Sequence, residues 1–332
     1  MVAQLKQPPS HRLTRVAPAD ALGVAQAAAI LTAGGLVGMP TETVYGLAGL
    51  ATSDAAAAEI YAAKGRPSFN PLIAHFAQPE DALREIRCDA AAARLAAHFW
   101  PGPLTIVAPV APDCRISLLA RAGLDTVAVR VPGHATARAL ITAVGAPLVA
   151  PSANRSGRVS PTSAAHVLAD LGGRIDLILD AGPSPLGVES TVVACLPDGA
   201  RLLRPGAVTR AEIEAALGVK LREAGADAPA APGALASHYA PRAKLRLDAE
   251  TAGDDDAALD FAGKLGDARG PRLDLSPHGD LKEAAANLFA YLRTLDESGA
   301  DCISVAPIPR TGLGEAINDR LRRAASPRPE AT

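Results

Sequence analysis

Residues Gly34–Phe76 read GGLVGMPTETVYGLAGLATSDAAAAEIYAAKGRPSFNPLIAHF, and this stretch sets the α/β class. The apolar run Leu36–Met39 has the length and character of a buried strand, and Pro40 stops it. Thr41-Glu42-Thr43 then offers side chains suited to capping a helix, which Val44-Tyr45-Gly46-Leu47 is expected to open. A second helix is expected from Asp54, with Ile60 and Tyr61 on its apolar side. Lys64-Gly65-Arg66-Pro67 ends it, because glycine suits a helix C-terminus and proline forbids continuation. Pro71–Phe76 reads as the next strand.

The chemistry lies at the joints of these elements. Thr41 and Thr43 would stand at a helix start, beside outward-pointing N–H groups and the positive end of the helix dipole. Lys64 and Arg66 stand where another helix stops, followed by Asn70. Together they form a cradle for phosphate or carboxylate oxygens; taken singly, the threonines only cap and the cations only complement a helix C-terminus. Arg130 ends the apolar run V-A-V-R-V, where it either pairs with a structural carboxylate or meets an anionic ligand. His75, judged by its neighbours, is a core histidine on a strand. Ser152 and Asn154 in P-S-A-N follow a strand expected over 147–150, and α/β folds tend to bind ligands at such strand ends. An ordinary Ser/Asn turn has the same appearance.

The chain has 332 residues, more than one average domain, and Lys+Arg 33 against Asp+Glu 35 leaves a net charge of −2. No global basic field would hold nucleic acid, so any RNA contact is expected to be local or transient. Cys88, Cys114, Cys195 and Cys302 are scattered without a C-x-x-C pair, which argues against zinc or disulfide frameworks and for a reducing cytoplasm. The histidines form neither H-x-H nor H-E-x-x-H, so no protein-built metal site is expected. Met1–Arg15 lacks the apolar core of a signal peptide, and no apolar run approaches the length needed to span a bilayer. A soluble cytoplasmic protein without membrane contact is expected. Neither G-x-x-x-x-G-K-[ST] nor G-x-S-x-G occurs, and Gly312-Leu313-Gly314 is followed by Ile317 where a dinucleotide turn needs glycine.

Further helices are expected over 21–32, 89–99, 134–144, 162–171, 209–217, 281–297 and 313–324. Strands are expected over 104–110, 126–131, 176–179, 190–195, 201–204, 244–247 and 301–307. Strands outnumber helices without strict alternation, so the expected fold is a twisted mixed β-sheet flanked by helices, with a smaller C-terminal α/β domain. The division is a loose arm over 1–19, a catalytic domain over 20–218, a linker over 219–243, the small domain over 244–325 and a tail over 326–332. The linker is rich in Ala, Pro, Gly and Asp, and H-Y-A-P at His238–Pro241 interrupts it with larger groups.

The motifs PTETVYGL, KGRP, NPLIAH and PSAN, in that order, resemble the YrdC-type threonylcarbamoyl-AMP synthase family over about Gly23–Ala216. The tail resembles the family's longer, two-domain form. The resemblance implies a YrdC-like nucleotidyltransferase that joins L-threonine, bicarbonate and ATP into threonylcarbamoyl-AMP, releasing pyrophosphate. That is the first step of threonylcarbamoyladenosine modification beside the tRNA anticodon, with later transfer left to other proteins. It implies Lys64 and Arg66 as catalytic cations, and Thr43, His75, Arg130, Ala150 and Ser190 as threonine contacts. It implies Arg66, Asn70, Thr126, Ser152, Asn154, Ser160, Arg204 and Tyr239 as ATP contacts, with Mg2+ arriving on the nucleotide. The H-Y-A-P segment is implied to fold across the cleft. Two other readings are a non-catalytic RNA-binding module and a hydrogenase-maturation carbamoyltransferase; the slightly negative charge disfavours the first and the absence of paired cysteines the second.

Overall fold

The computed structural model describes residues 12–67, 69–225 and 238–327. The first third holds β1 (Arg15–Pro18), α1 (Ala21–Thr32), β2 (Val37–Met39), β3 (Gly46–Leu50), α2 (Asp54–Lys64) and β4 (Ile73–His75). Next come α3 (Pro79–Arg84), α4 (Ala90–Phe99), β5 (Leu104–Pro109), β6 (Thr126–Arg130), α5 (Ala135–Val144) and β7 (Leu148–Val149). They are followed by α6 (Ala164–Leu171), β8 (Leu177–Asp180), β9 (Thr191–Leu196), β10 (Gly199–Arg204), α7 (Arg210–Leu217) and β11 (Arg222–Glu223). The last part holds β12 (Lys244–Arg246), β13 (Ala257–Asp260), β14 (Arg272–Asp274), α8 (Leu281–Glu297), β15 (Cys302–Val305) and α9 (Leu313–Ala325).

Among the described residues the strands form two sheets, an 11-stranded one ordered β1-β8-β2-β3-β7-β4-β6-β5-β9-β10-β11 and a four-stranded one ordered β12-β15-β13-β14. The large sheet is mixed: β4 runs parallel to β6, whereas β7 is antiparallel to β3 and to β4. The small sheet is parallel throughout. Apolar residues such as Leu47, Ile60, Leu95, Ile106 and Val129 fill the main core, and Leu259, Phe289, Ile303 and Ile317 fill the second. Local signals explain several boundaries. Gly65 closes α2 in the left-handed region at φ 60°, Ser163 caps α6 through the His166 N–H, and Thr209 forms a capping box with Glu212 on α7.

The sequence reading needs correction at two places. No helix opens at Val44. Thr41–Val44 form a turn in which Thr41 Oγ1 accepts from the Thr43 and Val44 N–H groups, and the chain continues as β3, antiparallel to β2 with Met39 opposite Gly46. Pairing with β2 on one side and β7 on the other outweighs local helix capping, so no helix dipole faces the two threonines. Within the span expected as a loose arm, Arg12 bridges Glu59 and Asp176, and Arg15–Pro18 pairs in parallel with β8; residues 1–11 lie outside the described residues. This edge strand shows no alternating apolar pattern in the sequence because three of its four residues are exposed. Likewise β13, β14 and α3 escaped the reading: β13 is buried on both faces and short, and α3 has six residues. The stretch 226–237 of the expected linker lies outside the described residues.

The two sheets share a packed boundary. Val44, Val159 and Val188 pack into the same cluster as Leu288, Phe289 and Ile317 of the second unit, with Tyr239 between them. Arg293 of α8 donates to Asp170 of α6 at 2.7 Å. Gly187, at φ +69°, presses so close to α8 that a Cβ there would lie 2.4 Å from the Ala285 carbonyl.

Candidate active site

Parallel pairing sets His75 of β4 beside Arg130 of β6, since the two are register partners at the ends of adjacent strands. The turn before β3 lays Thr43 over them. Arg130 is buried and donates to Glu42 Oε1 at 2.6 Å, to Thr43 Oγ1 at 3.1 Å and to the Gly102 carbonyl at 3.3 Å. Of the two roles weighed for Arg130, the pairing with a structural carboxylate is present, and the side chain also lines a cavity. Burial alone would raise the Glu42 pKa, but the Arg130 guanidinium holds it below the usual carboxylate range. His75 is pushed down to about 3, first by burial and then by Arg130. A neutral ring whose Nδ1–H donates to the Ile73 carbonyl at 3.0 Å leaves Nε2 as an acceptor.

From these two residues a cavity extends across the strand ends. It is lined by Thr43, Val44, Arg66, Ile73, His75, Arg130, Ala150, Pro151, Ser152, Glu189, Ser190, Arg204, His238 and Tyr239. All five residues expected to meet threonine are here, Thr43, His75, Arg130, Ala150 and Ser190, and so are Arg66, Ser152, Arg204 and Tyr239 of the expected ATP contacts. Arg204, at the end of β10, donates from Nη2 to the Ser190 carbonyl at 2.9 Å and to Ser190 Oγ at 3.1 Å. Ser190 Oγ also meets Thr105 Oγ1 at 2.8 Å. Arg66 is buried; it donates to the Pro71 and Asn70 carbonyls while its Nε has no hydrogen-bond partner among the described residues. Burial pushes its pKa down to about 10, against the opposing pull of Tyr61 and Tyr239.

The other expected residues stand one layer back or elsewhere. Lys64 does not line the cavity; its ammonium donates to the Ser152 and Asn154 carbonyls and so fixes the P-S-A-N turn. Burial, then Arg66, drives its pKa well below the ordinary lysine value. Asn154 donates to the Arg155 and Arg158 carbonyls at 2.8 Å, which shapes the following loop. Ser160 donates to Glu189 Oε1 at 2.5 Å from behind the wall, and Asn70 contributes its carbonyl to Arg66. Thr126 is not brought to the cavity. It opens β6 opposite Pro109, four residues from Arg130 and so roughly 13 Å away along an extended strand.

Three residues of the site carried no usable signal in the sequence. Glu42 and Glu189 are acids flanked by small or apolar residues, T-E-T and V-E-S-T-V, and an acid in an apolar run needs a cation. Arg320, one arginine among several on the amphipathic α9, is wholly buried and donates to Glu189 Oε2 at 2.8 Å.

Comparison with known proteins decides the family. A family model described as telomere recombination matches residues 29–206, and one described as the threonylcarbamoyl-AMP synthase C-terminal domain matches residues 208–326. The threonylcarbamoyl-AMP synthase of Bacillus subtilis is 42% identical over 325 residues, covering 92% of this chain and 93% of the relative. The chain belongs to the threonylcarbamoyl-AMP synthase family. Another threonylcarbamoyl-AMP synthase, from Pyrococcus abyssi, is 40% identical over 319 residues, covering 90% of this chain and 93% of its own. The crystal structure of P. abyssi Sua5 complexed with L-threonine superposes with a TM-score of 0.84 at 37% identity, covering 94% of this chain and 97% of that one. A variant of P. abyssi Sua5 with an adjacent histidine and tyrosine both changed to alanine gives a TM-score of 0.85 at 36% identity, covering 95% and 96%. Among the described residues, no helix is long and apolar enough to cross a membrane.

Proposed function

We propose that this chain joins L-threonine, bicarbonate and ATP into threonylcarbamoyl-AMP and pyrophosphate, the first step of tRNA threonylcarbamoyladenosine formation. The observation that carries the reading is one cavity lined by two kinds of group. Arg130, Thr43, His75 and Ser190 present a guanidinium fork, hydroxyls and a ring acceptor, which suit the carboxylate, hydroxyl and amine of threonine. Arg66 and Arg204 line the same space, Arg204 in contact with Ser190, and among the described lining residues Glu189 is the one carboxylate. That excess of positive charge suits a polyphosphate.

The bond changes follow from this layout. Threonine's amine takes up bicarbonate as a carbamate with loss of water; a carbamate oxygen then attacks the α-phosphorus, and the bond to the β-phosphate oxygen breaks. Attacking and leaving groups are both anionic, so the protein's work is positioning and charge stabilisation. Arg130 and Ser190 hold threonine in line, Arg66 and Arg204 neutralise charge building on the phosphates, and Tyr239 with His238 screens the labile mixed anhydride from water. The nucleotide brings its magnesium ion as part of the substrate. Among the described residues no group of three or more His, Cys, Asp or Glu is arranged to hold a metal, and Glu189 is already engaged by Arg320 and Ser160. The adenylate then passes to separate tRNA-modifying transfer proteins, and the net charge of −2 leaves this chain at most a transient contact with tRNA.

The test is incubation with labelled threonine, bicarbonate, ATP and Mg2+, with chromatography for the labelled adenylate. Arg66→Ala should lose most threonine-dependent pyrophosphate release, since each charge-assisted hydrogen bond is worth roughly 1.5–3 kcal/mol. Absence of the adenylate with wild-type protein would refute the assignment.

A further inference from the structure

One wall of the cavity is tied to the second unit by a single charged side chain. Arg320 of α9 is fully buried, and its guanidinium reaches three groups. Nε donates to Glu189 at 2.8 Å, Nη1 donates to Asp319 at 2.7 Å, and the guanidinium carbon lies 5.3 Å from the centre of the Tyr239 ring. Phe289 of α8 stacks on the same tyrosine, with ring centres 5.5 Å apart. Glu189 and Tyr239 both line the cavity, so Arg320 stands immediately behind two of its walls.

Packing alone does not account for an arginine here. A buried ion is costly unless every donor is used, and an apolar residue of similar volume would bolt α9 to the first unit more cheaply. Yet Arg320 Nη2 is buried without a hydrogen-bond partner among the described residues, and so is the hydroxyl of Tyr239, the residue whose ring Arg320 faces. Polar capacity left unused on both partners of one contact, directly behind a cavity wall, points to a role in that cavity rather than in packing. Burial would raise the Glu189 pKa, but Arg320 and Arg204 keep it below the usual range, so the anchor is a carboxylate.

We propose that Arg320 is a positioning residue for the nucleotide, setting the Glu189 and Tyr239 walls so that the C-terminal unit acts on ATP binding through them. This rests on the proposed activity. Among the described residues no hydrogen bond or ion pair joins Arg320 to Arg130, Thr43 or His75, which hold the threonine carboxylate and hydroxyl, so these contacts should be indifferent to it.

The test uses the full chain with Arg320→Gln and Arg320→Lys. The KM for ATP in pyrophosphate release should rise at least tenfold in Arg320→Gln, with threonine affinity by calorimetry within twofold of wild type; Arg320→Lys should recover only part. Arg320→Gln combined with Tyr239→Ala should be no worse than the poorer single variant, because both act through one wall. A readout independent of turnover is hydrogen exchange over His238–Ala243, where the Ala240 N–H bonds the Gly157 carbonyl. It should quicken at least tenfold in Arg320→Gln while α8 is unchanged. An unchanged KM for ATP, an equal loss of threonine affinity, additive variants, or exchange that rises equally through α8 and α9 would each overturn the proposal. If the wild-type protein makes no adenylate, the activity is refuted separately, and the exchange experiment still decides whether Arg320 holds this wall.

Discussion

His75 and Glu42 show what a single side chain contributes when its charge is set by burial. His75 ordinarily titrates near 6.5 but is held to about 3 in the fold, so below 6.5 the unfolded chain takes up a proton that the folded chain refuses. Stability should therefore fall as pH drops from about 6.5 towards 3, by up to about 1.4 kcal/mol per pH unit from this group. His75→Gln should flatten that acid limb in urea denaturation run between pH 4 and 7; an unchanged limb would show that His75 protonates freely. Glu42 poses the opposite case. It is the carboxylate on Arg130 at 2.6 Å in buried surroundings, and removing one partner of such a pair typically costs about 3–5 kcal/mol. Glu42→Gln should lower the denaturation midpoint accordingly and weaken threonine binding, because Arg130 loses its fixed orientation.

At the level of elements, the site depends on turns that bring backbones into contact. Arg204-Pro205-Gly206 leaves β10 and passes directly against the segment before β9. A Cβ on Gly206 would lie 2.4 Å from the Thr191 nitrogen and 2.5 Å from the Glu189 carbonyl. Gly206→Ala must therefore push β9 and β10 apart and move Arg204 off Ser190. The expected result is a loss of roughly 1–3 kcal/mol in chemical denaturation together with a raised KM for ATP. Gly65 is the contrasting glycine. It has open space around its Cβ position but φ +60°, so Gly65→Ala should cost only about 1 kcal/mol and Gly65→Asn less, with turnover largely kept. Equal damage from Gly65→Ala and Gly206→Ala would contradict this distinction.

For the whole molecule, the two sheets are joined around the cavity by both ion pairs and apolar packing. The Arg293–Asp170 bridge, the Arg210–Glu315 pair at 2.9 Å and the shared apolar cluster around Tyr239 all cross between them. Calorimetry should show a single unfolding transition. Gly187→Val places a branched side chain where the Ala285 carbonyl already lies 2.4 Å from a Cβ, so it should wedge the units apart and split the transition in two. Turnover should fall with it even though no residue touching substrate has changed.

The ends of α2, α6 and α7, the buried strands 104–109 and 126–130, and the ordered motifs that name the family were all readable from the letters alone. Each depends on interactions within a few residues or on a long apolar run. The α/β class and the residues of the cavity wall around Arg130, Ser152 and Arg204 were readable through the same motifs. Tertiary structure alone settled the rest. Gly46–Leu50 is a strand because β2 and β7 lie on either side of it, and no local cap competes with two rows of inter-strand hydrogen bonds. Glu42, Glu189 and Arg320 became part of the site only when segments up to 131 positions apart met in a dry interior, where an ion must find its counter-ion. Sequence spacing holds no trace of such a meeting.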